Sequence, residues 1–307
     1  MLLLLGAVGL AAGAFTGDDD REAITSSATA ATAATAPPTA APAAAPAAGN
    51  RFDGRRALAV ARLQVAVGQR PAGSPQLRKL AKRLARRLPR GRLEPVRGHP
   101  GLNNVVGSLP GREPAILIGA HYDTEANPKG FVGANDSAAG TAVLLELARV
   151  LRRAPRPAGS RAIRFALFDG EEEPRPTEDF YRDALRGSKA YAREHRGEIS
   201  RMILLDYVGN KGLRLPREGS SDPALWSRLR AAARRAGVAQ YFPAGDGVEL
   251  LDDHTPFLRA GVPAIDLIDF AYVHKDTLRD TLDKLSVRSL DAVGEAVAEL
   301  VLAERRR

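Results

Sequence analysis

Four short runs, at residues 115–120, 161–168, 203–205 and 263–270, read as buried strands, and each is closely followed by a histidine or a carboxylate. Helical spacing of apolar residues separates them, at 140–151 and 221–236, and a closing amphipathic helix covers 287–304. Two further helices are expected ahead of them, at 53–68 and 76–88, followed by a strand pair at 92–97 and 103–109. Strands divided by helices cannot be joined by tight hairpins. They form a mixed α/β sheet whose strands run mostly parallel. In such sheets ligands bind beyond the C-terminal ends of the strands. His121, Asp123, Asp136, Glu171, Glu172, Asp206 and His274 are therefore placed to converge, although they lie far apart in the chain.

The residue types narrow the chemistry. The 307 residues include no cysteine, which excludes disulfides, thiolate zinc fingers, iron–sulfur clusters and a cysteine nucleophile. A metal here must be held by His, Asp and Glu, a donor set that suits zinc. The net charge of +9 comes from arginine spread along most of the chain. It reads as compositional bias, and the basic face of the 76–88 helix as solvated, so no nucleic-acid partner is expected.

The first fifty residues read differently. The apolar run at 2–15 carries Ala12-Gly13-Ala14 and resembles the hydrophobic region and cleavage site of a secretory signal, without basic residues ahead of it. Residues 25–50 are almost wholly Ala, Thr and Pro, the composition of an extended linker. The expected organisation is a signal or anchor at 1–16, a linker at 17–50 and a catalytic domain at 51–307. That arrangement suits a secreted or cell-envelope protein, with tethering through the N-terminal segment.

Each element of the constellation has a plainer reading. His121-Tyr122-Asp123 could be a surface turn, and Gly133-Ala134-Asn135-Asp136-Ser137 a helix N-cap. Glu171-Glu172-Glu173 could be a solvated acidic loop. Position counts against these readings, because the Glu run directly follows an apolar strand and a glycine. Asp206 at the end of an apolar run needs a partner. Asp123 is spaced to take the second ring N–H of His121 if His121 binds metal. Adjacent glutamates can divide roles, one holding a cation and one moving protons.

The ordered segments resemble a known family. They are Gln64-Val65-Ala66-Val67-Gly68, Gly73-Ser74-Pro75, Ala120-His121-Tyr122-Asp123 and Phe131-Val132-Gly133-Ala134-Asn135-Asp136-Ser137-Ala138. They continue with Phe168-Asp169-Gly170-Glu171-Glu172, Gly187-Ser188 and Leu204-Leu205-Asp206. The last are Asp252-Asp253-His254-Thr255-Pro256-Phe257-Leu258, Gly261-Val262-Pro263 and Asp280-Thr281-Leu282-Asp283-Lys284-Leu285-Ser286. From about residue 57 to 302 the chain resembles metallopeptidase family 28 of the zinc exopeptidase superfamily, which contains aminopeptidases and glutaminyl-peptide cyclotransferases (glutaminyl cyclases).

The resemblance implies a three-layer α/β/α fold and one or two zinc ions. It implies Asp136, Glu172 and His274 as shared zinc ligands, with His121 and Asp206 as the further ligands of two-zinc members. It implies Glu171 as general acid/base and Asp252 as part of an active-site hydrogen-bond network. The substrates it implies are peptide or protein N-termini. The spellings at 132–138, 168–172 and 252–259 favour the cyclase branch. An aminopeptidase and a catalytically silent binding module of the same fold are the alternatives. The chain departs from the family pattern in having no Trp before the terminal histidine. Its interval from His274 to Asp280 is also two residues longer than in His-Thr-x-x-Asp, which leaves Asp269 or Asp276 as substitutes for His274.

Overall fold

The central strand β3 (Arg112–His121) is buried without a break from Ala115 to His121. Ile116, Ile118 and Ala120 join the core on one side of the sheet, while Ala115 and Leu117 join the core on the other. Both faces are therefore covered, as a largely parallel sheet requires. The structure is a computed structural model that describes residues 51–307. The expected signal and linker at 1–50 lie outside the described residues.

The other strands are β1 (Arg92–Pro95), β2 (Asn103–Leu109), β4 (Arg161–Phe168), β5 (Ile199–Leu205) and β6 (Ala264–Leu267). Their order is β1-β2-β4-β3-β5-β6. β2 pairs antiparallel with both β1 and β4, and the pairs β4–β3, β3–β5 and β5–β6 are parallel.

The helices are α1 (Gly54–Val65), α2 (Pro75–Ala85), α3 (Gly140–Arg153), α4 (Phe180–Asp183), α5 (Arg186–His195), α6 (Pro223–Arg235), α7 (Thr255–Arg259) and α8 (Val287–Glu304). Residues of α1, α2, α3, α6 and α8 fill the core on one face of the sheet; those of α5 and α7 pack on the other. The result is the three-layer α/β/α arrangement. Side-chain caps start several helices: Asp53 for α1, Ser74 for α2, Asp222 for α6 and Ser286 for α8. α8 buries Leu290, Val293, Val297, Leu300 and Val301, each such side chain contributing about 1.5–3 kcal/mol.

Four strands differ in length from their sequence reading: β1 ends at Pro95 rather than at 97, β3 runs from Arg112 to His121 rather than over 115–120, and β5 and β6 differ as well. β5 begins at Ile199, because Ser200 and Arg201 are only half-buried and hide the pattern. β6 stops at Leu267, since its partner β5 ends at Leu205 and residues 268–270 have nothing to pair with. The helix α5 escaped the reading because its buried side is built mostly from Gly187, Ser188, Ala190 and Ala192 rather than large apolar residues.

Neighbouring strand ends set the site. His121, the last residue of β3, sits opposite Phe168 at the end of β4, and Gly119 opposite Leu204 of β5. The residues leaving β4 and β5 therefore emerge beside His121. Gly140 at the start of α3 completes the edge. A Cβ there would lie 2.2 Å from the carbonyl oxygen of Leu205, so only glycine lets the helix approach β5.

Candidate metal centre

Backbone anchors hold the loops before any cation is considered. The Asp123 carboxylate accepts the N–H groups of Glu171 and Glu172, both at 3.3 Å. Asp280 accepts those of Asn135 and Asp136, at 3.0 Å. Thr141 Oγ1 donates to the His121 carbonyl at 2.8 Å, and Ser137 Oγ to that of Asp123 at 2.6 Å. Gly133 adopts φ +52, and a Cβ there would collide with the carbonyl oxygen of Asp136 at 1.7 Å. The turn that presents Asp136 therefore needs glycine.

Arg70 organises this edge from below. It is fully buried. Its guanidinium donates to the carbonyls of Tyr122, Val132 and Gly133 and to Ser137 Oγ, at 3.2, 2.6, 3.1 and 3.2 Å. Burial lowers its pKa to about 10, against the raising influence of Asp136, Asp123, Asp280 and Glu172, so it stays charged at neutral pH. Arg70→Met is expected to destabilise the fold by about 3 kcal/mol or more, because several buried acceptors lose their donor. Urea unfolding checks this, and an unchanged midpoint would remove Arg70 from the scaffold.

The functional side chains crowd one point. His121 Nε2 lies 3.0 Å from Asp136 Oδ1 and 3.4 Å from Asp206 Oδ1. Its Nδ1 lies 3.7 Å from Asp123 Oδ1 and 3.8 Å from Glu171 Oε2. One donor atom each from His121, Asp136 and Glu172 fall within 4.8 Å of one another, and all three residues are buried. Yet neither ring nitrogen of His121 nor Glu172 Oε1 has a hydrogen-bond partner among the described residues. These atoms are close but out of line with one another, whereas buried polar groups are almost always satisfied. A divalent cation among them would supply the missing partner.

The charges agree. Burial drives Glu172 well above the usual carboxylate range, reinforced by Asp136 and Glu171. Burial does the same to Glu171, partly opposed by His121 and reinforced by Asp252 and Asp253. Asp206 is pushed up to about 7 by burial, with His121 pulling it down. Burial opposes protonation of His121, but the carboxylates of Asp123, Asp136 and Asp206 outweigh it and hold its pKa well above the ordinary value. Without a cation the cluster must hold protons instead.

The structure brings six of the expected residues together: His121, Asp123, Asp136, Glu171, Glu172 and Asp206. Asp252 stands behind them in a second buried group with His254 and Asp266. There His254 Nε2 meets Ser220 Oγ at 2.8 Å and Glu218 Oε2 at 3.1 Å. His274 is the exception among the expected ligands. Like Asp206 and Asp276, it belongs to none of the potential metal-holding groups of the described residues. Unlike them, it makes no side-chain contact with His121, Asp136 or Tyr207 that holds it to the cluster. It is half-buried, and its ring packs edge-on against Tyr272 with centroids 5.6 Å apart.

Sequence reasoning also missed residues here. Tyr207, buried at the end of β5, donates its hydroxyl at 2.8 Å to Asp136 Oδ2 and lies 3.0 Å from Asp276 Oδ1. Glu125 is pushed up to about 7 by burial and by the charges of Asp276 and Asp136. Asp266 could have been found by the reasoning that exposed Asp206, since it too is an acid inside an apolar run. Arg70 and Tyr207 leave no local signal.

The pattern of Peptidase family M28 matches residues 104–301, which include every one of these candidate donors. The chain belongs to peptidase family M28. Among family relatives, Drosophila melanogaster glutaminyl-peptide cyclotransferase is 30% identical over 215 residues, which are 57% of this chain and 56% of that protein. The Mus musculus glutaminyl-peptide cyclotransferase-like protein is 30% identical, with 69% of this chain and 70% of that one covered. This M28 chain thus spans little more than half of the first relative and about two thirds of the second. Among solved structures, an Acidobacteriales bacterium glutaminyl cyclase superimposes with a TM-score of 0.74 at 29% identity, covering 90% of this chain and 100% of that one. A leucine aminopeptidase precursor from Bacteroides thetaiotaomicron gives 0.72 at 26% identity, covering 81% and 97%. The fold is that of the zinc-exopeptidase-like glutaminyl cyclases, and the chain sits on the glutaminyl cyclase-like branch of the family.

Proposed function

We propose that this chain is a zinc-dependent enzyme of glutaminyl cyclase type, which converts an N-terminal glutamine to pyroglutamate and releases ammonia. The observation that carries the reading is the buried group of His121, Asp136 and Glu172, in which both ring nitrogens of His121 and Glu172 Oε1 lack a hydrogen bond, on a glutaminyl cyclase-like fold. The fit to zinc rests on that mixture of imidazole and carboxylates. Held by His121, Asp136 and Glu172, zinc would supply Lewis acidity to the side-chain amide carbonyl of the substrate.

The protein's own groups handle the proton. The substrate's α-nitrogen bonds to the side-chain carbonyl carbon, and the amide C–N bond breaks. Glu171 takes the proton that the α-amine loses and returns it to the departing nitrogen, which leaves as ammonia. Burial raises the Glu171 pKa, which favours its holding the proton between the two transfers.

An adjoining cavity of about 710 Å³ suits the rest of the peptide. Leu250, Ile268, Phe270, Tyr272 and Val273 give it an apolar lining, and Lys211, Arg214 and Lys284 add positive charge beside the carboxylates of Glu218 and Asp269. Tyr272 links it to the centre, with its ring 6.0 Å from that of Tyr207, whose hydroxyl touches Asp136. An N-terminal glutamine at the centre would place its following residue along these walls.

The test pairs elemental analysis of the purified full chain with ammonia release from a Gln-initiated dipeptide. About one zinc per chain with ammonia release is the expected result. Two metals, no ammonia and release of amino acid from leucine amide would replace this reading with an aminopeptidase. The position of His121 between Asp136 and Asp206 is the observation that favours this second reading.

A further inference from the structure

The segment after β6 offers two candidates for the last donor of the metal centre, and the structure separates them. His274 lines the cavity beside Tyr272, Val273 and Lys284, with its ring packed against that of Tyr272. Asp276 adopts φ +57, a left-handed conformation that aspartate tolerates better than most residues. Although the residue as a whole is exposed, its carboxylate reaches in to the hydroxyl of buried Tyr207. The same hydroxyl contacts Asp136 Oδ2. A phenol has one proton to give, and here two carboxylates press on it. That leaves an acceptor of this pair to be satisfied by something else, and the nearby partnerless atoms of His121 and Glu172 have the same need.

We infer that Asp276, not His274, is the last protein donor to the metal, completing a set with Asp136, Glu172, His121 and Asp206. This rests on the metal-centre reading above. The set then contains one imidazole and four carboxylates. Oxygen donors favour harder cations, so this centre discriminates less sharply between zinc and manganese than one with a second imidazole. The positive φ at Asp276 is the local backbone feature that accompanies this inward carboxylate.

The test is a competition titration of metal-free full-length protein with Zn2+ and with Mn2+, read as dissociation constants. Circular dichroism confirms that each variant is folded. Asp276→Asn is expected to weaken both metals by at least about tenfold. His274→Ala is expected to leave both within about twofold, since its ring holds no donor position. Asp276→His is expected to shift the ratio of affinities towards zinc by roughly tenfold. Loss of metal in His274→Ala, with retention in Asp276→Asn, overturns the assignment and leaves the metal centre standing. If the unmodified protein binds neither cation, the metal-centre reading fails and the assignment fails with it.

Discussion

Glu171→Gln is expected to retain the metal and to lose turnover by about 10²- to 10⁴-fold, the range for removing a positioned proton carrier. The amide keeps the size of the side chain. The loop keeps its anchor, because Asp123 holds residue 171 through the backbone N–H. What disappears is the ability to take and return a proton beside His121, whose Nδ1 lies 3.8 Å from Glu171 Oε2. Glu172→Ala and Asp136→Ala should behave in the opposite way and lose metal, since both belong to the buried donor group. The measurements are kcat on a Gln-initiated dipeptide and metal content on the same preparations. Full activity in Glu171→Gln would remove it from the chemistry, and unchanged metal content in the other two would remove them from the donor set.

The fold was most legible where burial is one-sided or complete. Residues 161–168 and 287–304 form a strand and a helix with the boundaries expected of them, because their apolar pattern runs to the ends. The site was legible for a topological reason: donors that follow the ends of adjacent parallel strands have to meet. This accounts for His121, Asp206 and the Glu171-Glu172 pair, which arrive together from β3, β5 and β4. It says nothing of a residue carried on a long loop. His274 and Asp276 are two positions apart, and only the backbone turn at Asp276 decides which carboxylate or imidazole points inward. Arg70 was hidden for another reason. It lies in a turn of Pro, Ala, Gly and Ser, and its burial is imposed by carbonyls more than fifty residues away in sequence. Tyr207 follows Asp206 with φ +43, an orientation that no strand pattern encodes.

Removing the metal should make stability fall as pH rises from about 5 to 8, the reverse of what paired carboxylates give. Burial is the first cause of the raised pKa of Glu171, Glu172, Asp206, Asp253 and Asp266. In the unfolded chain these groups ionise near pH 4. Between that pH and their native values the folded state holds more protons than the unfolded state, so each step up in pH favours unfolding. For Asp206, native at about 7, the window runs from about pH 4 to 7 and is worth at most about 4 kcal/mol, shared with its neighbours. His121 adds to the trend: its raised pKa stabilises below the unfolded value and that contribution is lost as pH rises through the folded one. Groups shifted the other way, such as Glu218 at about 2 beside His254, are already fully ionised by pH 5 and contribute evenly across this range. A bound cation takes over the work of the protons. At pH 8 saturating zinc should therefore restore several kcal/mol, whereas at pH 5 protons compete for the same donors and the gain shrinks. Thermal unfolding at both pH values, with chelator and with zinc, reads all four states. A metal-free protein that melts higher at pH 8 than at pH 5 would mean the cluster is not a site of repelling, desolvated carboxylates, and the cation would lose its physical reason to be there.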